Sequence, residues 1–314
     1  MSAVAEGLRG RSFAKLADWS RSELEAVLDL ADELKRARRE GEEHHLLPGR
    51  TIGLLFQKPS TRTRVSFAAG IAHLGGTALS FSADELQLGR GETIRDTALV
   101  LSRYLDGLVI RTFAQADVEQ LARYASIPVV NALTDAAHPC QILADLMTIR
   151  EQRGRLDELK LVYLGDGNNV CASLLVGAAT FGIHMVAATP SGYAPPEHAV
   201  AVARERAVES GGSVELTADV HSAVAGADVL YTDVWTSMGQ EAENDRRRRA
   251  FAGFGIDATL LREAGEQALV LHCLPAHYGE EITEEVVYGP QSAVFDEAEN
   301  RLHTQKALLA LIIP

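Results

Sequence analysis

The stretch Thr51-Ile-Gly-Leu-Leu-Phe-Gln-Lys-Pro-Ser-Thr-Arg-Thr-Arg64 holds the fold in miniature. Its first six residues form an unbroken apolar run, the pattern of a strand covered on both faces. A turn follows Phe56, and then a helix carrying Val65, Phe67, Ile71 and Leu74. Ser60 stands where an N-cap belongs, and the N–H groups of a first turn, with the helix dipole, suit an anion. Two hydroxyl residues interleaved with two arginines add donors that match phosphate oxygens. A capped surface helix with solvated arginines would show the same residue types. The position directly after an apolar strand, and the lack of an acidic partner inside the motif, favour the anion site.

Reading outward, the same alternation repeats. Gly107-Leu-Val-Ile110 and Pro128-Val-Val-Asn131 read as further strands, with a helix from Ile94 to Tyr104 before the first. A long helical segment follows His138-Pro-Cys-Gln141, with Ile142, Leu143, Leu146, Met147 and Ile149 on its apolar side. A second series begins with strand Leu161-Val-Tyr-Leu164, the turn Gly165-Asp-Gly-Asn-Asn169 and a small-residue helix to Phe181. Strands at 184–188, 214–216, 229–232 and 270–271 continue it, with a helix through 199–208. Near the N-terminus Ser20 and Glu23 form a capping box, with Trp19 and Leu24 as its hydrophobic staple. The last segment, Arg301 to Ile313, reads as an apolar helix.

Strands alternating with helices imply parallel sheets with helices on both faces. The expected fold is α/β: two doubly wound lobes, each with a central parallel sheet, joined by interdomain helices. The first would span residues 1–147 and the second 148–299, with a helix at 300–314 packing back onto the first. In such sheets ligands bind beyond the carboxyl ends of the strands.

The chain of 314 residues is 46% hydrophobic and 23% charged, a globular profile that excludes a disordered, collagen-like or disulfide-scaffold protein. Its net charge of −13 argues against nucleic acid, which needs an excess of cations. An anionic ligand must therefore be held by a local arginine cluster. Three scattered cysteines, Cys140, Cys171 and Cys273, favour a reducing compartment. No apolar run approaches the ~20 residues of a membrane span, and the first residues lack a secretory apolar segment, so a cytoplasmic location is expected.

Further chemistry lies just after other strands. His138 and Gln141 are one helical turn apart behind Pro139, and an imidazole and an amide together can polarise a small carbonyl. Asp233-Val-Trp-Thr-Ser-Met-Gly239 offers Asp233 for a cationic amine and Ser237 for a carboxylate. Cys273, in His272-Cys-Leu-Pro275, is either a packed small hydrophobe or a site residue. The turn at Gly165 opens like a dinucleotide fingerprint, but Val170 occupies the third glycine position, so no nucleotide cofactor is expected. Arg246–Arg249, flanked by Glu241, Glu243 and Asp245, reads as a solvated helix face. His44, His45, His272 and His277 lack metal-ligand spacing, and no metal is expected.

Taken together and in order, these motifs resemble the aspartate/ornithine transcarbamylase family. Ser60-Thr-Arg-Thr-Arg64 and His138-Pro-Cys-Gln141 mark its carbamoyl-phosphate lobe, and Ser237-Met-Gly239 with His272-Cys-Leu-Pro275 mark its ornithine branch. The resemblance implies transfer of the carbamoyl group of carbamoyl phosphate to the δ-amine of L-ornithine, giving citrulline and phosphate, in arginine synthesis or ornithine catabolism. It implies Ser60, Thr61, Arg62, Thr63, Gln87, Arg111, His138, Gln141, Cys273, Leu274 and Arg301 around carbamoyl phosphate. Arg62, Arg111, His138, Cys273 and Arg301 would be catalytic. Asn169, Asp233, Ser237 and Met238 would bind ornithine. Gln87 would reach a neighbouring site, which implies a homotrimer or a multiple of it. The 237–255 segment is expected as a lid, with Gly239, Gly253 and Gly255 as hinge points. Within the family the rival substrates are putrescine, which has no carboxylate for Ser237 and Met238 to hold, and N-acetylornithine. A nucleotide-dependent oxidoreductase or a non-catalytic scaffold would have no use for this set of residues.

Overall fold

Among the described residues, every named strand lies in one of two wholly parallel sheets. The computed structural model describes residues 3–82, 91–237, 239 and 241–314. Two compact units divide the chain, one of Met1–Met147 with Glu299–Pro314 and one of Thr148–Ala298.

In the first unit β1 (Thr51–Phe56), β2 (Thr77–Ser82), β3 (Gly107–Arg111) and β4 (Val129–Leu133) pair in the order β2-β1-β3-β4. In the second, β5 (Lys160–Leu164), β6 (His184–Ala188), β7 (Ser213–Thr217), β8 (Val229–Thr232) and β9 (Leu269–His272) take the order β7-β6-β5-β8-β9. Each chain segment winds outward from its first strand on one side and then returns to the other side. The winding reverses between β1 and β3, and between β5 and β8. Crevices beyond the strand ends at such reversals are where ligands bind in this architecture. The loops that open there are 57–60 and 112–114 in one sheet, and 165–168 and 233–237 in the other.

Burial explains which strands the sequence pattern reveals. β3 and β8 are buried at every position, and their apolar runs follow from it. β2 is an edge strand, mostly exposed or half-buried, and its Thr-Ala-Leu-Ser-Phe-Ser sequence lacks a continuous apolar run. It is the strand missing from the expected set. The helix Gln115–Tyr124 is also an addition, with only Val118 and Leu121 fully buried along it. Val65, expected on the apolar side of the helix Thr61–His73, is exposed. The capping box at Ser20 is present in both of its hydrogen bonds.

The C-terminal helix begins seven residues earlier than its apolar pattern suggests, at Val294, and runs to Ile312. Its last turns are built into the first unit. Leu308, Leu309 and Ile312 are buried, and the Ile312 carbonyl accepts from the Gly10 N–H at 2.8 Å. Gly107 opens β3 because a Cβ there would lie 2.4 Å from Ile313 Cδ1. Among the described residues no helix is long and apolar enough to cross a membrane.

Candidate active site

In the first unit three loops at the carboxyl ends of β1, β3 and β4 are stitched into one surface. The Gln57 N–H donates to the Arg111 carbonyl at 2.8 Å, and the Asp135 N–H to the Phe113 carbonyl at 2.9 Å. The Thr112 hydroxyl donates to Gln57 Oε1, and the Lys58 ammonium pairs with Asp135. Lys58 also lies 4.4 Å from the centroid of the Phe113 ring. These contacts fix the turn that leads into Ser60.

Ser60 caps the helix Thr61–His73, its hydroxyl accepting from the Thr63 N–H at 3.3 Å and donating to Thr63 Oγ1 at 3.0 Å. Arg301, from the C-terminal helix, donates through Nη2 to the same Thr63 oxygen at 2.8 Å. Its Nη1 donates to Gln141 Oε1 at 3.0 Å. Residues from positions 60, 141 and 301 thus meet in one hydrogen-bonded group. His138 lies in the field of this cluster. Burial pushes its imidazole well below the usual range, and Arg301, Arg111 and Arg62 push the same way. The ring is therefore neutral at physiological pH, a hydrogen-bonding group rather than a cation. Arg111 and Arg301 are buried, whereas Thr61 and Arg62 stand exposed at the start of the helix.

In the second unit the turn after β5 is filled by protein. Gly167 has no room for a side chain, since a Cβ would fall 2.2 Å from the Pro195 nitrogen. Asn168 Oδ1 accepts from the N–H groups of Val170 and Cys171 at 2.9 and 3.1 Å, so first-turn donors of the helix Asn169–Thr180 are already engaged. Asn168 Nδ2 reaches across to Asp233 Oδ2 at 2.8 Å. The other Asp233 oxygen accepts from the Val234 N–H at 2.8 Å and from the Cys273 thiol at 3.1 Å. Asp233 and Cys273 are thereby joined at the ends of β8 and β9. Burial pushes the Cys140 thiol up to about 12 and raises Cys171 further, which leaves both as packing groups.

The loop bearing Cys273 is held from below by His272. Its Nδ1 accepts from the Leu274 N–H at 2.8 Å, which leaves the proton on Nε2 to face Glu281 Oε1 at 3.2 Å. The same carboxylate oxygen accepts from the His277 N–H at 2.6 Å. Leu274 has φ 55°, a left-handed conformation that a branched side chain rarely adopts, and the bond to His272 sustains it.

Folding also gathers metal-ligand types that spacing does not bring together. One group is Asp233, His272 and Cys273, the other His277, Glu280 and Glu281, each with ligand atoms within 4.8 Å of one another. A cation at the first would compete with the Leu274 N–H for His272 Nδ1 and with the thiol proton for Asp233.

Arg247 corrects the expectation of a solvated arginine face. It is buried, donating through Nη1 to Asp166 Oδ2 at 2.7 Å and to the Trp235 carbonyl at 2.9 Å, and through Nε to Glu243 at 3.1 Å. Its guanidinium lies 5.1 Å from the Tyr193 ring centroid. Phe251 is likewise buried, against Trp235 and Tyr193. Within the segment expected as a lid, Arg247, Phe251 and Phe254 are buried, while Arg248, Arg249, Ala252 and Gly253 are exposed. Gly255 has no room for a side chain, since a Cβ would sit 2.5 Å from the Glu280 carbonyl oxygen.

Asn169, the first residue of the helix after β5, and Ser237, on the loop after β8, are half-buried in this unit, and Cys273 and Leu274 belong to it too. Gln87 and Met238 lie outside the described residues. Lys58, Asp145, Asn168, Arg247 and Glu281 were not singled out by the sequence. Only Asn168 carried a local signal, as a side-chain cap before a helix.

Comparison with known proteins meets the same division. The carbamoyl-P binding domain of aspartate/ornithine carbamoyltransferases matches residues 11–151, and their Asp/Orn binding domain matches residues 157–312. The chain belongs to this family. Among curated relatives, an ornithine carbamoyltransferase of Symbiobacterium thermophilum is 56% identical over 306 residues, 98% of this chain and 99% of that one. One from Acidothermus cellulolyticus is 56% identical over 303 residues, 96% of each. The solved ornithine carbamoyltransferase from Pyrococcus furiosus superposes with a TM-score of 0.95 at 51% identity, covering 98% of both chains.

Proposed function

We propose that the chain transfers the carbamoyl group of carbamoyl phosphate to the δ-amine of L-ornithine, releasing L-citrulline and phosphate. The observation that carries this reading is the meeting of Ser60, Thr63, Gln141 and Arg301 beside a neutral His138. Relatives aligned along almost the whole chain bear the name of that activity.

Carbamoyl phosphate is held by Ser60, Thr61, Arg62, Thr63, Arg111, His138, Gln141 and Arg301, with Gln87 arriving from a neighbouring subunit. Attack by the amine builds negative charge on the carbamoyl oxygen, which the arginines and the His138 imidazole stabilise. Phosphate is a good leaving group, so no covalent enzyme intermediate, metal or redox cofactor is called for. Ornithine is held by Asn169, Asp233, Ser237 and Met238. Its amine must shed a proton before attack, since its ordinary pKa is about 10. Asp233 and Cys273, already joined by a hydrogen bond, orient it next to the Leu274 carbonyl. Holding two small substrates in register supplies much of the rate.

The catalytic unit is proposed to be a homotrimer or a multiple of it. Val65, Leu79, Leu99, Val100 and Tyr104 of the first unit are exposed apolar side chains of the kind a subunit contact covers. A cytoplasmic location accords with three cysteines that are all free thiols. The test is citrulline formation by the purified protein from carbamoyl phosphate, with ornithine, putrescine and N-acetylornithine compared. Ornithine-dependent product that is lost in Arg62→Ala is expected. Activity with putrescine instead would overturn the roles of Ser237 and Met238.

A further inference from the structure

We infer that Asp145 is a positioning residue for carbamoyl phosphate, acting through Gln141 on Arg301; this rests on the function proposed above. Gln141 and Asp145 are four apart on the helix Pro139–Arg153 and share one face. Both are fully buried, at 0% exposure, and Arg301 is 4% exposed. Gln141 Nε2 donates to Asp145 Oδ1 at 2.8 Å, while Gln141 Oε1 accepts from Arg301 Nη1 at 3.0 Å.

A primary amide has a donating and an accepting end, and both are engaged here, the nitrogen on Asp145 and the oxygen on Arg301. The Asp145 carboxylate only accepts and the Arg301 guanidinium only donates, so the amide must lie with nitrogen toward one and oxygen toward the other. Replace the acceptor-only carboxylate with a group that can also donate, and Arg301 alone is left to hold the amide oxygen toward itself. Flipped, it would set NH2 against NH2, and the guanidinium would swing away from Thr63. Asp145 also stands one amide away from a buried arginine, in the unit that gathers Arg62, Arg111 and Arg301 around His138. The carboxylate therefore fixes both the direction of the hydrogen bonds and the attitude of Arg301, without touching the substrate.

The test compares Asp145→Asn with Asp145→Glu. The first keeps shape but exchanges an acceptor-only group for an amide that can also donate; the second keeps the carboxylate and disturbs packing. For Asp145→Asn the KM for carbamoyl phosphate should rise at least about tenfold, the scale of losing a hydrogen bond to a charged group. The KM for ornithine should stay within about twofold. Asp145→Glu should melt lower than Asp145→Asn yet keep its carbamoyl-phosphate KM nearer to wild type. Inorganic phosphate gives a readout independent of turnover: its stabilisation of the melting temperature should shrink in Asp145→Asn and persist in Asp145→Glu. If the wild-type protein forms no citrulline, the functional reading fails while the phosphate comparison still decides this one. An unchanged KM and phosphate shift in Asp145→Asn, or losses in the two variants that simply follow their melting temperatures, would overturn the inference. Should Asp145→Asn fail to fold, Asp145→Glu decides by itself: a KM within about threefold despite lost stability supports it, and a larger rise overturns it.

Discussion

Replacing Arg247 with methionine isolates the consequence of burying one arginine that sequence pattern assigns to solvent. The Arg247 and Asp166 side chains are 8% and 11% exposed and meet at 2.7 Å. Methionine keeps much of the aliphatic stem but loses the guanidinium that faces Tyr193 and leaves Asp166 without its cation. Breaking a buried pair in this way costs about 3–5 kcal/mol, whereas an exposed pair contributes about 0–1 kcal/mol. Burial already pushes the Asp166 carboxyl above its ordinary 3.8; Arg247 pulls it down, and Asp233 and Glu243 push it up again. Without Arg247 the upward shift grows. An acid whose folded pKa is raised gives stability that is present below the unfolded value and is lost as pH rises through the folded one. The deficit of Arg247→Met should therefore be largest at neutral pH and shrink as pH falls toward 4. Urea unfolding of wild type and variant from pH 4.5 to 8 measures it, and Asp166→Asn on the Arg247→Met background should recover most of the loss. A deficit under about 1 kcal/mol that is flat with pH would refute the reasoning, because that is how a solvated arginine behaves.

Asp233→Asn would turn an amide N–H toward donors that now serve the carboxylate, namely Asn168, Val234 and Cys273. The KM for ornithine should rise more than about tenfold with that for carbamoyl phosphate little changed, as steady-state kinetics will show. His138, held well below 6.5, should show no titration between pH 6 and 8 in a histidine-resolved NMR experiment. A base with a lowered folded pKa takes up its proton first in the unfolded chain, so its contribution to stability is lost as pH falls below 6.5. Gly167→Ala sets a methyl 2.2 Å from the Pro195 nitrogen, a backbone atom that cannot step aside. It should cost about 2 kcal/mol or more in thermal or denaturant unfolding.

How much of this was legible beforehand follows from where each residue sits in the folding pattern. Central strands such as β3 and β8 declare themselves because both faces are buried and every position must be apolar. β2 does not, because an edge strand with a wet face can be written in Thr, Ala and Ser. Ser60 and Asp233 could be read because each lies in the loop that follows a strand, where sheet geometry opens a crevice. Arg247 could not. Its neighbours Arg246, Arg248 and Arg249 are of the same type, and only Arg247 lands opposite Asp166, 81 residues away in sequence. Asp145 was hidden for a related reason: a lone acid on an apolar helix face has no local signature of what it will meet.

The charge balance carries the same lesson one step further. A net charge of −13 argues against a polyanion as partner, yet the first unit gathers Arg62, Arg111 and Arg301 around His138. Global charge is a sum over the surface, whereas binding depends on the few groups that topology brings to a strand end. Arg301 shows how indirect that route is. It lies 238 residues from Thr63 and reaches it because the chain's last helix is packed into the first unit, through Leu308, Leu309 and Ile312. The proposed anion site thus depends on the packing of the helix that carries Arg301 as much as on the Ser-Thr-Arg-Thr-Arg motif. Loosening that helix, for instance by Ile313→Ala against Gly107, should weaken phosphate binding even though no residue of the motif has changed.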